Sequence, residues 1–294
     1  MRVGVVSWNI HKKPAVLPWL RHLFMSEADY HILQVIEAGS ISVRDILAEL
    51  PPDYRSLNLP IADTEGELRN ASGIKVFTNL PKANLRGFTH DVRHIIFYAL
   101  QVGERRILVA GVHFPSKFPH ENPRVQEGFI QHEFSQALQA QFQLQLGKKL
   151  FHPESDHLLL MGDFNMAPFE LGMVDSLFLH AGGSQQLVTE RLQRKVGATY
   201  PKLYNPMWSL MGDFVPGTGA EKLPGTYFFA NASRSYHYHW HQLDSALFSA
   251  PLSLHLVKST LEIVPLHELI GVKFRTFIQD YSDHFPIRFQ LAFS

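Results

Sequence analysis

Residues 158–165, Leu-Leu-Leu-Met-Gly-Asp-Phe-Asn, constrain the fold of this chain more than any other stretch. A continuous apolar run of this kind is typical of a strand buried on both faces, and Gly162 lets the backbone turn where the run ends. Asp163 and Asn165 follow two residues apart, so they share one face if the chain stays extended. A carboxylate beside an amide suits a site that binds a cation and a phosphate oxygen together. The alternative is an Asx turn that caps a helix beginning near Pro168.

Other apolar runs of the chain also stop at polar residues. Asn9, Glu37 and His113 each close a predicted strand. Asp283 and His284 stand immediately before the apolar C-terminal stretch. We therefore expect these side chains to converge with the carboxylate and the amide of the first stretch around one site.

Three motifs connect this series to a known family. They are Trp-Asn-Ile at 8–10, Gly-Asp-Phe-Asn at 162–165 and Ser-Asp-His-Phe-Pro-Ile at 282–287. In this order and at these separations they resemble the endonuclease/exonuclease/phosphatase superfamily, the metal-dependent phosphoesterases that share the DNase I fold. The resemblance implies one α/β domain over 1–294, a four-layer α/β/β/α sandwich with two mixed β-sheets packed face to face. The alternation of predicted strands and helices, with a hairpin between them, independently favours mixed sheets covered by helices.

Local patterns predict the individual elements. Period-two and β-branched runs predict strands at 2–8, 30–37, 72–78, 93–102 and 105–112, the last two joined as a hairpin. Apolar residues at helical spacing predict helices at 16–24, 40–50, 124–149 and 168–180. The polar segment 63–72 is predicted to be a loop.

Composition narrows the function classes. The 294 residues carry 27 basic and 27 acidic side chains, whereas proteins that hold duplex DNA through its phosphates are usually basic overall. A local basic patch would not change that sum. The absence of cysteine excludes disulfides and zinc–thiolate sites and fits a cytoplasmic protein. No run of about 18 apolar residues predicts a membrane span, the N-terminus does not resemble a signal peptide, and no protein partner can be inferred.

The segment around Glu37 departs from the family pattern. Members usually carry Gln and a metal-binding Glu side by side, whereas Gln34 is followed here by Val35 and Ile36 before Glu37. If Gln34 takes the usual place, Val35 stands where the carboxylate should be. Val35 and Glu37 share a strand face about 7 Å apart, so a shifted register or a bulge could still bring Glu37 to a metal. The alternative is an exposed carboxylate at a strand end.

The resemblance implies a divalent cation, Mg²⁺ or Mn²⁺, held through oxygen ligands. Glu37, Asn9 and Asp283 are the implied metal-binding residues. Asn9 also belongs to the implied phosphate-binding set, together with Asn165 and His113, which would donate hydrogen bonds to the phosphate oxygens. His113 stands where members place a histidine that stabilises charge or protonates the leaving oxygen, although a lone histidine is more often an ordinary surface residue.

The resemblance also implies a catalytic set. His284, oriented by Asp244, would accept a proton from water, with Asp163 as a competing candidate for that role. Asn165 and His113 complete the set as donors to the developing charge.

Two further segments leave alternatives open. Residues 182–232 are rich in Gly, Pro and aromatic residues and form either a cleft-shaping insertion or a compact insertion that packs on its own aromatics. His237, His239 and His241 alternate along one predicted strand face. Successive ligands about 7 Å apart do not easily meet one ion, so an edge strand is favoured over a metal site.

The resulting hypothesis is a divalent-metal-dependent hydrolase of phosphodiesters, first of all a nuclease acting on DNA or RNA. The neutral charge and the aromatic segment favour the alternative, a phosphodiesterase or phosphatase acting on a phospholipid, an inositol phosphate or a nucleotide. The displaced Glu37 leaves a third possibility, a catalytically silent binding protein on the same fold.

Overall fold

The apolar runs of the sequence form the central strands of two β-sheets. The structure is a computed structural model that describes residues 1–57, 73–117, 122–147, 155–189, 194–195, 198–199, 202–214, 219–230 and 239–294. The predicted loop 63–72 and His237 therefore lie outside the described residues.

The strands are, in chain order, β1 (Arg2–Asn9), β2 (Tyr30–Ile36), β3 (Arg55–Ser56), β4 (Lys75–Thr78), β5 (Leu85–Val92), β6 (Ile95–Val102), β7 (Arg105–His113), β8 (His157–Asp163), β9 (Ala181–Gly182), β10 (Arg194–Lys195), β11 (Ala198–Thr199), β12 (Leu203–Tyr204), β13 (Tyr227–Phe228), β14 (Trp240–His241), β15 (Asp244–Phe248), β16 (Leu256–Ile263) and β17 (Ile287–Ala292). The first sheet has the order β16-β17-β1-β2-β4-β3 and the second β5-β6-β7-β8-β15-β12-β9. Both sheets are mixed, because β1 pairs parallel with β2 and β7 parallel with β8, while their outer neighbours pair antiparallel.

Side chains of β8 alternate between two cores, as the period of two requires. Leu159 and Met161 belong to the core that the two sheets share, whereas Leu158 and Leu160 pack beneath the helical segment that covers the second sheet. The strand is buried on both faces, which is why its sequence is continuously apolar. The predicted sandwich of two mixed sheets packed face to face is therefore confirmed.

A buried amide joins the two sheets near the site end of the strands. Gln34 of β2 donates from Nε2 to the Met161 carbonyl of β8 at 3.0 Å. A Cβ at Gly111 would approach Gln34 Oε1 to 2.3 Å. Gly162, at φ +138°, would bring a Cβ to 2.1 Å from the Val112 carbonyl. Both glycines are needed because the backbones and the Gln34 amide approach too closely for any side chain.

The helical segments are α1 (Val43–Glu49), α2 (Arg124–Phe129), a π-helix (Ile130–Phe134), α3 (Ser135–Leu146), α4 (Leu171–Val174), α5 (Gln185–Thr189), α6 (Ala250–Ser253), α7 (Leu266–Leu269) and α8 (Phe274–Asp280), with 3₁₀ helices at Pro14–Leu23, Lys82–Asn84 and Pro206–Leu210. No helix in the described part of the chain is long and apolar enough to cross a membrane.

All but one of the predicted helices correspond to helical segments of the structure. Ser42 caps α1 through a capping box with Asp45, and the segment predicted at 124–149 is helical from Arg124 to Leu146. The helix predicted at 168–180 is wrong, because only the single turn α4 forms there. Asp175 is extended at the end of that turn, and its carboxylate accepts from the backbone N–H of Leu177 at 2.8 Å. This local bond replaces helical pairing.

Candidate active site

The polar strand ends predicted from the sequence meet at one end of the two sheets. In the second sheet, Asp163 lies between His113 on its parallel neighbour and Asp244 on its antiparallel neighbour. In the first sheet, Asn9 pairs with Ile36, the residue before Glu37. The pairing registers therefore bring His113, Asp163 and Asp244 side by side in the second sheet. In the first sheet they place Asn9 next to the end of β2, which Glu37 follows.

Asn9 connects the two sheets at this end. Its Nδ2 donates to Asp163 Oδ2 at 3.0 Å and lies 3.3 Å from Glu37 Oε1. Its Oδ1 accepts from the backbone N–H of His11 at 3.0 Å, and the residue is fully buried. One amide thus holds a carboxylate of each sheet in place.

Glu37 reaches this cluster through its backbone conformation. The pairing of β1 with β2 continues without a register shift to Ile36, and Val35 is fully buried in the core. Glu37 itself has φ +51°, a left-handed conformation that is uncommon outside glycine. Its side chain is 21% exposed and its Oε1 lies 3.3 Å from His113 Nε2. The left-handed conformation of Glu37 brings its carboxylate to the site. The pairing of β1 with β2 contains no bulge.

The pair of Glu37 and His113 is charged. The hydrogen bond from His113, opposed by burial, lowers the pKa of Glu37 to about 2. Burial disfavours the imidazolium of His113, but the hydrogen bond to Glu37 and the charge of Asp163 outweigh it and raise the pKa of His113. His94 fixes the strand end, because its Nδ1 lies 2.7 Å from the His113 carbonyl.

A second group is more deeply buried. His284 Nδ1 donates to Asp244 Oδ2 at 2.8 Å, and His284 Nε2 lies 3.9 Å from Asp163 Oδ2. Burial and the charge of Asp244 raise the pKa of Asp163. Burial opposes the charge on His284, but the charge of Asp244 and its hydrogen bond prevail and raise the pKa of that imidazole. The imidazole of His284 is therefore flanked by two buried carboxylates, that of Asp244 in hydrogen-bond contact and that of Asp163 at 3.9 Å.

Asp163, Asp244 and His284 are also close enough to hold a metal ion, since one ligand atom of each lies within 4.8 Å of the others. The imidazolium of His284 already offsets part of the negative charge of these carboxylates. His284 Nδ1 is in addition engaged by Asp244. We regard this group as a proton-holding cluster for those two reasons.

The predicted metal-binding residues are brought together only in part. Asn9 and Glu37 are in contact, whereas Asp283 approaches from another side, where its Oδ1 lies 3.4 Å from His11 Nδ1. Within the described residues, Asp283 Oδ1 has no hydrogen-bond partner. His11 lies close enough to Glu37 for its charge to lower the pKa of that carboxyl. The structure therefore brings Asn9 and Glu37 into direct contact and places Asp283 next to His11.

Asn165 lies in the loop that leaves β8. Its backbone N–H donates to Asp163 Oδ1 at 2.8 Å, so the predicted Asx turn forms, although it leads into a loop and not into a long helix. Asn165 has φ +52°, and its Nδ2 donates to the Phe114 carbonyl at 2.9 Å. Gln126 of α2 holds the turn by donating to the Asn165 carbonyl at 2.7 Å. One hydrogen of the Asn165 amide is thus engaged by the protein.

Sequence reasoning missed Tyr227, which it noted only as one of many aromatic residues in 182–232. An antiparallel bridge pairs Tyr227 with His284, and the ring centroids of the two side chains lie 4.7 Å apart. No local pattern signals a pairing across so many residues. Of the three alternating histidines, His241 pairs through its backbone with Tyr227, and His239 Nδ1 lies 3.1 Å from the Phe229 carbonyl.

Known structures with the same fold were found by comparison. Truncated TDP2 from Caenorhabditis elegans is 14% identical with a TM-score of 0.52, covering 99% of this chain and 98% of that chain. The inositol polyphosphate 5-phosphatase domain of SPSynaptojanin, in complex with inositol (1,4)-bisphosphate and calcium ion, is 15% identical with a TM-score of 0.51, covering 99% and 83%. An AP endonuclease from Archaeoglobus fulgidus is 14% identical with a TM-score of 0.50, covering 99% and 100%.

No protein-family model and no curated protein matches the sequence. At identities of 14–15% the structural likeness establishes the fold alone. The chain has a DNase I-like α/β fold, as its motifs predicted.

Proposed function

We propose that the protein is a divalent-metal-dependent hydrolase of phosphodiesters. The observation that carries the proposal is the double contact of Asn9, which holds Glu37 and Asp163 from two different sheets at one point. His113 and His284 flank that point with charged imidazoles. Carboxylates, amides and imidazolium donors around one space can hold a cation and a phosphate at the same time.

The residues present fit a hard cation on the Glu37 side. Glu37 Oε1 is engaged by Asn9 and His113, while Oε2 is approached at 4.0 Å by Lys12, whose side chain is 68% exposed. Asp283 Oδ1 is free of hydrogen bonds in the described structure. Glu37, with Asn9 and Asp283, would hold Mg²⁺ or Mn²⁺, ions that take oxygen ligands and retain several waters. The bound ion would act as a Lewis acid on the phosphate and stabilise the leaving oxygen.

The two candidate bases differ in their protonation. His284 keeps its proton, because Asp244 stabilises the imidazolium in spite of its burial. Asp163 is a buried carboxylate whose pKa is raised toward neutrality, the range in which a general base works best. We therefore assign the base that activates water to Asp163 and give His284 the role of a charged donor held by Asp244. This reverses the preference that the motif resemblance suggested.

The phosphate would lie between the donors of both sheets. His113 is a charged donor at the strand end next to Glu37. Asn9 uses its Nδ2 for the two carboxylates, and the Asn165 amide has one hydrogen beyond the one given to Phe114. Donors fixed in this way need no rearrangement as negative charge grows on the phosphate oxygens.

We propose a nucleic acid as the first substrate class. The support is the fold, which this chain shares with a protein named AP endonuclease. The neutral net charge favours short or single-stranded substrates over long duplexes, since the latter call for many phosphate contacts.

A second candidate, a phospholipid or inositol phosphate, is favoured by an exposed apolar rim formed by the loop that leaves β8 and by the segment that packs on that loop. Phe169, four residues beyond Asn165, is 59% exposed, and its ring lies 6.4 Å from that of Trp208, itself 38% exposed. Met211 and Phe214, a few residues beyond Trp208 in the chain, are also exposed. Trp208 and its neighbours belong to 182–232, which supports the cleft-shaping interpretation of that segment. The rim suits an acyl chain as well as a base.

Hydrolysis assays test the proposal. Bis(4-nitrophenyl) phosphate, single-stranded oligonucleotides and an inositol polyphosphate should be offered with Mg²⁺, with Mn²⁺ and with EDTA. We expect turnover of at least one ester that EDTA abolishes and that His284→Ala lowers strongly. Hydrolysis that survives EDTA would reject the chemistry, and a complete absence of turnover would favour the silent binding protein.

A further inference from the structure

The segment carrying Tyr227 is fixed to the segment carrying His284 by backbone hydrogen bonds. The N–H of Phe228 donates to the Asp283 carbonyl at 2.9 Å, and the N–H of Phe285 donates to the Thr226 carbonyl at 2.7 Å. These bonds flank the bridge between Tyr227 and His284. The position of the Tyr227 side chain is therefore set by main-chain pairing and not by a flexible loop.

The ring of Tyr227 covers the imidazole of His284. The two centroids are 4.7 Å apart with an interplanar angle of 47°, and the ring of His241 lies on β14 at 6.0 Å from Tyr227. Tyr227 remains partly exposed, whereas His284 is 5% exposed. The aromatic ring is thus more accessible than the buried imidazole against which it packs.

The phenol of Tyr227 lies within electrostatic reach of the carboxylates of the site. Burial raises the pKa of Tyr227, and the charges of Asp283, Asp163 and Glu37 raise it further. These three carboxylates come from three different strand ends, so a group that senses all of them lies near the space between them. In the part of the chain that the structure describes, no hydrogen bond is made by this phenol to a protein group. It is a neutral O–H donor on a residue that is paired with His284 and packed against its ring.

We propose that Tyr227 is a further catalytic residue, whose phenol donates a hydrogen bond to a non-bridging oxygen of the bound phosphate; this inference rests on the proposed function. A neutral donor suits this position, because a lysine or arginine would pair with the surrounding carboxylates and be neutralised by them. Such a donor contributes most when charge accumulates on the phosphate oxygen, so its removal acts mainly on turnover.

Tyr227→Phe is the variant that tests the inference, because it removes the hydroxyl and keeps the ring that covers His284. With bis(4-nitrophenyl) phosphate and Mg²⁺ we expect kcat to fall roughly 10²-fold, the loss typical of one removed oxyanion donor, while KM changes little. The matched control is Tyr98→Phe. The Tyr98 hydroxyl is fully buried and has no hydrogen-bond partner among the described residues, so kcat should stay at the wild-type value.

A second substrate separates the proposed contact from other roles. Donation to a non-bridging oxygen predicts the same fold-loss of kcat for diphenyl phosphate, which expels a more basic phenolate. A loss that grows with leaving-group basicity would place the phenol at the leaving oxygen and overturn the assigned contact. Rates are divided by the folded fraction, measured by near-ultraviolet circular dichroism, so a variant that folds poorly still tests the contact.

The two levels of failure are distinct. Wild-type-like kcat in Tyr227→Phe overturns this inference and leaves the proposed function intact. A wild-type protein without EDTA-sensitive hydrolysis of any ester overturns the proposed function first.

Discussion

The two halves of the site differ in their access to solvent. Glu37 and His113 have side chains that are each 21% exposed, whereas the side chains of Asp163, Asp244 and His284 are between 1% and 7% exposed. An ion that must bind, exchange water and meet a substrate needs the accessible half. A general base whose pKa must be shifted needs the inaccessible half, because burial shifts pKa values most strongly there. Under the proposed function, cation binding and proton handling are therefore separated in this site and joined by one amide.

Asn9 is that amide, and its position explains why the halves can act together. It contacts Glu37 of the accessible half and Asp163 of the buried half while itself being fully buried. A change on one side therefore reaches the other through a single side chain.

The largest expected effect lies in the buried half. Asp163→Asn keeps the shape and the acceptor for the N–H of Asn165 but removes the proposed base, so we expect kcat to fall by about 10²–10⁴-fold. The Mg²⁺ concentration that gives half-maximal activity should rise less than it does in Glu37→Gln, because only the shared contact with Asn9 carries the change to the accessible half. Steady-state kinetics across a Mg²⁺ titration measure both quantities.

The control for Asp163→Asn is Asp29→Asn. Asp29 accepts from the backbone N–H of Arg2 at the opposite end of β1. A large rise in the Mg²⁺ requirement of Asp163→Asn would contradict the separation of the two halves.

An intermediate effect is expected in the accessible half. Glu37→Gln removes a charge from the proposed ligand set, so we expect the Mg²⁺ requirement to rise about 10- to 100-fold, the range seen when groups of a metal site are lost. Activity at saturating Mg²⁺ should fall less than in Asp163→Asn. A larger loss of activity at saturating Mg²⁺ in Glu37→Gln than in Asp163→Asn would contradict the proposed difference between the two halves.

Glu27→Gln is the matched control for that variant. Glu27 is 73% exposed and pairs with Arg2, at the far end of β1 from Asn9. Its loss should leave the Mg²⁺ requirement at the wild-type value.

The smallest expected effect is a shift in the titration of His113. Its pKa is raised against burial by Glu37 and Asp163, so in metal-free protein the imidazolium should persist above pH 6.5. Because the folded pKa is the higher one, the pair stabilises the fold fully below the unfolded pKa and loses that contribution as pH rises through the folded pKa. Glu37→Gln should lower the pKa of His113, which proton NMR can follow once the resonance is assigned by its absence in His113→Asn. An unchanged pKa would show that Glu37 and His113 do not interact.

The sequence was a good guide wherever burial on both faces dictated residue type. The run at 158–163 became β8, and the ends of β1, β7 and β8 delivered Asn9, His113 and Asp163 to one place. These predictions depended on local composition and on the period of a strand, which do not depend on how distant segments pack.

The features that the sequence did not predict depend on contacts between segments that are distant in the chain. Glu37 has φ +51°, and no neighbouring glycine announces that turn. The segment 168–180 was predicted to be a helix, but it packs on the core through Met173 and Leu179, while Leu171 and Leu177 are exposed by 53% and 62%. Tyr227 reaches His284 through a bridge between distant segments. In these three cases tertiary packing determined the conformation, and local sequence propensity did not.

The location of the bound cation tests the central claim most directly. Crystals of the wild-type protein grown with Mn²⁺ should give an anomalous difference peak about 2.0–2.3 Å from a carboxylate oxygen of Glu37, with Asp163, Asp244 and His284 free of metal. A peak coordinated jointly by Asp163, Asp244 and His284, with no density at Glu37, would contradict the account.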